Sequence, residues 1–445
     1  MKTDFNNNRI QTMKKIIFLI IIAGNLFAQQ SKLTLEESVE IGLKNSKLIK
    51  ISESKVLSAD AQVTEFTSQM LPKISFGASY TYMNLNKPSE LAIGSVPIKV
   101  NNPFSSYGLN LSIQQPIFTG FQLSSSRSAA KFNHLATSVE LLKTINNKTL
   151  EIHFAFWILF KAEKSVELIN ENLLSLEEHL NQTKEFLDNG LVTVNDYLKF
   201  KVLLSGVKLE LIDANNKMEI ARASFNKALG FNLAEKTRIE TVLHLADYKL
   251  PEYDELLAEA QINREELKVV DFKIKAGEER ITAINSGWWP KLYASGNFFL
   301  SNIKAETFSI KNQQLQLWFV GLSLNWSLWD WGHTSSKSDQ ATQDVIQIKE
   351  SLELLKEQIE LDVFKSYLTI QSEVEKIKIS KLAVESAEEN YRITKDKYQY
   401  QLATSNDLID AEVELLDAKT KLSFAQADYQ LAKVRLELVV GRRIY

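Results

Sequence analysis

Three acidic residues are the first candidates for chemistry. Residues 401–411 read QLATSNDLIDA, placing Asp407 and Asp410 three apart at the head of a long apolar-periodic run. Farther upstream, 190–200 read GLVTVNDYLKF, with Asp196 at the matching place. Acid–base or metal chemistry would need a histidine, a serine–histidine pair or further ligands close by, and the flanking sequence offers none. Two readings stand. Carboxylates in a first helical turn offset the helix dipole. Residues three apart also share a helix face, so a symmetric assembly would repeat them as a ring of acids, which selects cations. The five histidines (His134, His153, His179, His244, His333) are scattered, and none pairs at ligand spacing. No nucleophile, base and oxyanion donors converge, so neither an enzyme nor a metal or other cofactor is expected.

Bulk composition narrows the class. The formal net charge of -3 over 445 residues gives no electrostatic case for nucleic acid. With no cysteine, disulfides, thiol chemistry and a lipid anchor on an N-terminal cysteine are excluded. Only 15 glycines and 7 prolines, with 24% charged residues, suit long helices better than loops. Beyond the N-terminus there is no apolar run of the ~18 residues that a spanning helix needs.

The N-terminus reads as an export signal. Residues 13–30, MKKIIFLIIIAGNLFAQQ, carry Lys14 and Lys15, an apolar run and a small residue at Ala28. That is the layout of a secretory signal peptide over 1–28. Residues 1–12 read as an extended positively charged region or as sequence upstream of a start at Met13. The apolar run is short for a membrane anchor.

The elements that must position the acids come twice. MLPKISFGASYTY (70–82) and WWPKLYASGNFFL (288–300) share Pro-Lys and an apolar/small alternation. The same offset pairs Asn45 with Asn263, Lys55 with Lys273 and Thr64 with Thr282. After a short deletion, PIFTG (116–120) meets SLWDW (327–331), the two acidic turns meet, and NKALGF (226–231) meets ELVVGR (437–442). The chain therefore reads as two copies of one unit, 29–247 and 248–445. Each has a helix (the first over 33–70), two strands, a very long helix (120–187 and 332–400) and a returning helix. At 1.5 Å per residue the long helices are rods of roughly 100 Å. The returning helices carry apolar residues alternating by three and four, as in Leu408, Ala411, Leu415, Ala418, Leu422, Ala425 and Tyr197, Phe200, Leu204, Val207, Leu211, Ala214. That is a coiled-coil seam.

Four strands are predicted, at about 72–83, 105–118, 290–301 and 316–329. Each alternates: Trp318, Val320, Leu322, Leu324, Trp326 and Leu328 fall on one face, with Phe319, Gly321, Ser323, Asn325 and Ser327 on the other. Such strands are long enough to cross an outer membrane when tilted. Trp288, Trp289, Trp318, Trp326, Trp329 and Trp331 flank or lie in the second pair, which fits an aromatic girdle at a membrane–water boundary. A soluble sandwich edge is the alternative, but the opposing face is too polar for a sandwich core. Four strands cannot close in lipid, so several chains must contribute. Three would give an even-numbered barrel of twelve strands.

With these motifs in this order, twice over, the chain resembles the TolC-type outer-membrane efflux proteins. The resemblance implies a mixed all-α coiled-coil/β-barrel membrane protein. A homotrimer would place a 12-stranded barrel in outer-membrane lipid and an α-helical tunnel in the periplasm. It would take substrates from an inner-membrane pump of exchanger or ABC type through a periplasmic adaptor protein. The two turns would form a periplasmic tip that opens like an iris. On that pattern Asp407 and Asp410 match the lumen-facing acids, Asp196 with Asn195 matches the first turn's constraint pair, and Tyr398 matches a tyrosine that ties neighbouring coiled coils. Ala403 stands where the best-known members have arginine, so one restraining link is expected to be absent. The chain ends soon after Gly441, so the C-terminal part of the family's equatorial belt is expected to be minimal. A channel dedicated to type I protein secretion, or a periplasmic coiled-coil scaffold without a pore, are the alternative functions.

Overall fold

The computed structural model describes residues 32–83, 89–93, 95–100, 104–241, 250–305 and 313–445. The expected signal peptide, 1–28, lies outside the described residues. None of the described helices is long and apolar enough to cross a membrane. The chain divides into two compact units, one from residues up to Lys50, Leu142–Arg264 and Glu357–Tyr445, the other from Ile51–Leu141 and Glu265–Lys356.

The first unit is helical. It opens with α1 (Leu35–Asn45), whose start is fixed by a capping box: the Thr34 hydroxyl accepts from the Glu37 N–H, and the Glu37 carboxylate accepts from the Thr34 N–H. A single helix is predicted over 33–70, but the structure interrupts it at Ser46, where ψ is 115°, before α2 (Lys47–Ser68). Two polar side chains hold the break. Asn45 Nδ2 donates to the Leu229 carbonyl at 3.0 Å, and Ser46 Oγ accepts from the Ile49 N–H. The long helix α3 spans Gln122–Asp188 and returns as α4 (Val194–Leu229). After residue 250 the pattern recurs: α5 (Tyr253–Asn263), an interruption at Arg264 and α6 (Glu265–Asn285). Next come α7 (His333–Gln399) and α8 (Ser405–Val439). Helices α3 and α7 are 67 residues each, roughly 100 Å; with α2 they contribute residues to both units, whereas α6 belongs to the second.

Two clusters lie in this unit's core. Ile152, Phe156, Phe225 and Leu229 are fully enclosed in one, with Val39 of α1 packed beside them. The other gathers Ile169, Leu176, Phe200, Leu204, Tyr398 and Leu408 next to the turns. The seam residues of the returning helices are the buried ones: Phe200, Leu204, Val207 and Ala214 on α4, and Leu408, Ala411, Ala418 and Ala425 on α8. Alanine in the seam lets helices approach closely.

The second unit holds the strands. β1 (Lys73–Met83), β4 (Phe104–Phe118), β5 (Lys291–Ala305) and β6 (Gln313–Asn325) form one antiparallel sheet in the order β1-β4-β5-β6. A separate hairpin, β2 (Ser89–Ile93) with β3 (Val96–Val100), sits between β1 and β4 where no strand is predicted. The strand predicted over 316–329 ends instead at Asn325. The chain enters the left-handed region at Trp331 and Gly332, with φ of 57° and 80°, which a ladder does not admit. Asp330 then accepts from the Gly332 and Thr334 N–H groups and starts α7.

Register aligns the apolar residues into rows across all four strands. Ile74, Ile113, Gly296 and Val320 form one row; Phe76, Leu111, Phe298 and Trp318 form the next. This face is uncovered: Phe76 is 70% exposed and Trp318 71%. The opposite face carries Ser75, Ser112, Asn297 and Phe319 in one row, then Gly77, Asn110, Phe299 and Leu317. Phe299 and Phe319 stack there at 5.9 Å, so this face is less uniformly polar than the alternation predicts.

Candidate functional site

The two acidic turns are built alike. The first turns at Gly190, φ 73°, and starts α4 at Thr193; the second turns at Gln401, φ 60°, and starts α8 at Thr404. Each threonine is the N-cap of a capping box. Asp196 accepts from the Thr193 N–H at 3.1 Å and from its hydroxyl at 2.6 Å. Asp407 accepts from the Thr404 N–H at 2.8 Å and hydroxyl at 2.7 Å. The threonine hydroxyl is the main reason that each carboxyl is held below its usual range. Both acids are therefore charged at neutral pH and satisfy orphan N–H groups at the helix start. Asp410, one turn on, is exposed and belongs to neither box, and Asn195 is exposed beside Asp196.

A side-chain hydrogen bond joins the turns: Lys199 Nζ donates to Asn406 Oδ1 at 3.2 Å. Tyr398 is buried, and its hydroxyl meets Thr183 Oγ1 at 2.8 Å. Its ring lies 6.0 Å from Phe186 and 6.3 Å from Phe200. Ala403 packs against the same apolar cluster. The structure thus brings Tyr398 and Ala403 together with the seam, and leaves Asp410 and Asn195 facing outward.

Beside this cluster lies a group that neither spacing nor motif picks out. On α3, Ser175, His179 and Thr183 recur every fourth residue and face α7 and α8. Ser175 Oγ and His179 Nε2 lie 3.0 and 3.2 Å from the Tyr391 hydroxyl. Glu412 of α8 is buried; the Ser175 hydroxyl bonds to its carboxyl, while Oε2, 3.8 Å from His179 Nε2, has no hydrogen-bond partner. Burial pushes the Glu412 carboxyl up to about 7 and, with Lys395 adding to it, the His179 imidazole down to about 4. The recurrence Ser175–His179–Thr183 is the one trace in sequence. It becomes legible only once α3 and the helices opposite it are in register.

Five of the six candidate girdle tryptophans sit at one end of the sheet. Trp288 and Trp289 precede β5 at Lys291, which pairs with Asn325 of β6, and Trp326, Trp329 and Trp331 follow Asn325. Trp326 Nε1 donates to the Trp288 carbonyl at 3.2 Å; Trp329 and Trp331 meet edge to face at 5.8 Å. Trp289 packs against Phe118 and Phe121. Trp318 stands apart, mid-strand, opposite Phe298.

A sheet with one uncovered apolar face and an aromatic cluster at one end, in a chain of long coiled coils, defines an outer-membrane export duct. The family model described as outer membrane efflux protein matches residues 40–231 and 256–442. The chain belongs to that family. It is 23% identical over 437 residues to the outer membrane protein TolC of Vibrio cholerae, covering 96% of each. It is 22% identical to the alkaline protease secretion protein AprF of Pseudomonas aeruginosa, over 77% of this chain and 71% of that one. Its fold is that of solved channel structures. CusC superposes with a TM-score of 0.79 at 15% identity, covering 93% of both chains. The CmeC outer membrane channel of Campylobacter jejuni superposes with a TM-score of 0.78 at 16% identity, covering 92% of this chain and 85% of CmeC.

Proposed function

We propose that three copies of this chain close a 12-stranded barrel in the outer membrane and extend an α-helical tunnel into the periplasm. The duct takes cargo from an inner-membrane pump, of exchanger or ABC type, through a periplasmic adaptor protein. The observation that carries the reading is the four-stranded sheet itself. Its edges β1 and β6 are unpaired in the single chain, and its apolar face is uncovered. Open edges are not tolerated in lipid, so the sheet must continue into other copies, and head-to-tail contacts close as a ring. The repetition of elements supports 29–247 and 248–445 as copies of one unit: two helices of 67 residues, each returned by one of 36 or 35. The two turns act as the gate, with Asp407 and Asp410 as rings of acids, Asp196 and Asn195 at the companion turn, and Tyr398 in the closing contact. Trp288, Trp289, Trp326, Trp329 and Trp331 contact the lipid boundary, and Trp318 faces the lipid from mid-strand. A heat-resistant trimer in outer-membrane fractions and ion conductance in planar bilayers test this. Absence of conductance from a properly inserted trimer would leave only a scaffold.

Dedicated type I protein secretion is the second reading, favoured by the match to a relative named for alkaline protease secretion. The neighbouring open reading frames discriminate: an adaptor with an exchanger-type pump, or one with an ABC transporter and a protein substrate.

A further inference from the structure

The buried Glu412 has no role in the duct reading above. It sits one residue past the seam position Ala411, seven residues beyond the start of α8, between α3, α7 and α8. A carboxyl enclosed this far needs a partner or a proton. Among the described residues no lysine or arginine forms an ion pair with it; the neutral Ser175 hydroxyl is the partner its carboxyl has, its Oε2 is unpartnered, and His179 Nε2 already faces the hydroxyls of Ser175 and Tyr391. The charged groups around it are paired with one another instead. From α3 and α7, Glu178 meets Lys395 at 3.9 Å. On α8, Lys419 meets Glu388 of α7 at 3.3 Å, and Asp417 binds Lys421. The remaining acids facing this region are Glu171 of α3 and Glu210 of α4.

Two cavities flank the carboxyl, of about 320 and 150 Å³. Glu412 and Asn172 line both, and the buried Asn172 Oδ1 is also unpartnered. The larger cavity also holds Glu210 and Asp417, so a charged Glu412 turning into it meets water and like charge rather than a cation.

We propose that Glu412 is a proton-binding site that sets the packing of the α3–α8 seam beside the turns. With the proton bound, the carboxyl stays seated beside His179. Without it, the carboxylate turns into the larger cavity to be hydrated, and the seam between Leu176 and Leu408 loosens. The proposal stands apart from the trimeric duct, because every residue in it belongs to one chain and one compact unit.

The direction with pH follows from the raised affinity for the proton. Below 4.5 the carboxyl is protonated folded or unfolded, so burial costs least there. As pH rises from 4.5 to about 7 the unfolded or released form ionises first, and the seated form loses ground by up to about tenfold per pH unit. Above about 7 the loss is complete. Acidification therefore tightens this seam, and neutral to alkaline pH loosens it. His179, held down to about 4, stays neutral throughout that window.

Hydrogen exchange of the detergent-solubilised full chain tests this, in segments 172–186 and 405–418, at pH 5.5 and 8 after correction for the chemical exchange rate. The wild type should lose about tenfold or more protection at pH 8. Glu412→Gln, which imitates the protonated acid, should keep the acid-like protection at both. Asp410→Asn should leave the wild-type difference in place, because Asp410 is exposed and lies outside both the buried site and the capping box. An unchanged pH response in Glu412→Gln, or none in the wild type, overturns the proposal. If Glu412→Gln fails to fold, the wild type still decides by infrared spectroscopy. A protected, protonated carboxyl band must disappear with a midpoint near 7, and its absence at pH 5.5 rejects the site.

Discussion

Gly230 lies so close to Asn45 that a Cβ built on it would come within 2.9 Å of the Asn45 Cβ. The two are locked by more than contact, since Asn45 Nδ2 donates to the carbonyl of Leu229, the residue before Gly230. The same relationship recurs where α8 ends: a Cβ on Gly441 would meet Asn263 and the Arg264 backbone nitrogen at 2.8 Å. Each returning helix thus ends in a left-handed glycine, φ 78° and 80°, seated in the interruption between two shorter helices. The interruption at Ser46 and Arg264 is what makes room for the glycine, and the glycine is what lets the helix end there.

Gly230→Ala should therefore cost more than a glycine replacement elsewhere. Gly190 has φ 73° and nothing within 4 Å of its built Cβ. Both substitutions pay about 1–2 kcal/mol for left-handed backbone. The excess for Gly230→Ala, about 1–3 kcal/mol, measures the overpacking against Asn45. Thermal melting of the two purified variants gives the comparison. Equal losses would show that Asn45 yields freely and that the close approach carries no stability.

Asp410 is the sharper probe of the proposed gate, because Asp407 has a second job. Removing Asp407 breaks a capping box as well as any acid ring. Asp410 is exposed and outside that box, so Asp410→Ala should change single-channel conductance or cation block in planar bilayers without lowering the melting temperature. Thr404→Ala should do the converse, weakening the helix start by about 1 kcal/mol. If both Asp410→Ala and the double variant with Asp407→Ala conduct as wild type, the turn acids are caps alone.

Tyr398 can be tested for an interprotomer role against the bond it makes in its own chain. Thr183 Oγ1 donates to the His179 carbonyl at 2.8 Å, so it accepts the proton of the Tyr398 hydroxyl. Tyr398→Phe and Thr183→Val should each cost about 1 kcal/mol and be non-additive in a double-mutant cycle. A tie between neighbouring coiled coils predicts more: Tyr398→Phe raises conductance and Thr183→Val does not. Equal conductance in the two confines Tyr398 to packing.

The long elements were legible because their signals are additive along the chain. Seam spacing over tens of residues specifies α4 and α8, and strict alternation specifies β1 and β4 within a residue or two. What escaped depends on single residues or on partners distant in sequence. The break at Ser46 lies in an apolar-periodic run, and its cause, the Leu229 carbonyl, is far along the chain. The end of β6 at Asn325 was hidden because alternation continues through Trp326 and Leu328 while the backbone turns at Trp331. The caps Thr193 and Thr404 follow from the spacing Thr-x-x-Asp, but the burial of Glu412 does not. An acid among seam residues reads as a surface position until α3 supplies His179 opposite it.

The sheet's two faces can be separated by adjacent residues. Val320 belongs to the apolar row with Ile74, Ile113 and Gly296 and is 76% exposed. Gly321 points the other way, and a Cβ built there has nothing within 4 Å. If the apolar face meets lipid, Val320→Arg costs about 2–4 kcal/mol near the bilayer midplane and depletes the chain from the outer-membrane fraction. Gly321→Arg then faces the lumen, should assemble normally, and should reduce cation conductance in bilayers through its added positive charge. Steric room at Gly321 makes the comparison fair, because misfolding would not explain a loss confined to Val320→Arg. Normal assembly of Val320→Arg with loss of Gly321→Arg would invert the assignment of faces, and with it the reading of β1, β4, β5 and β6 as a barrel wall whose apolar side is outward.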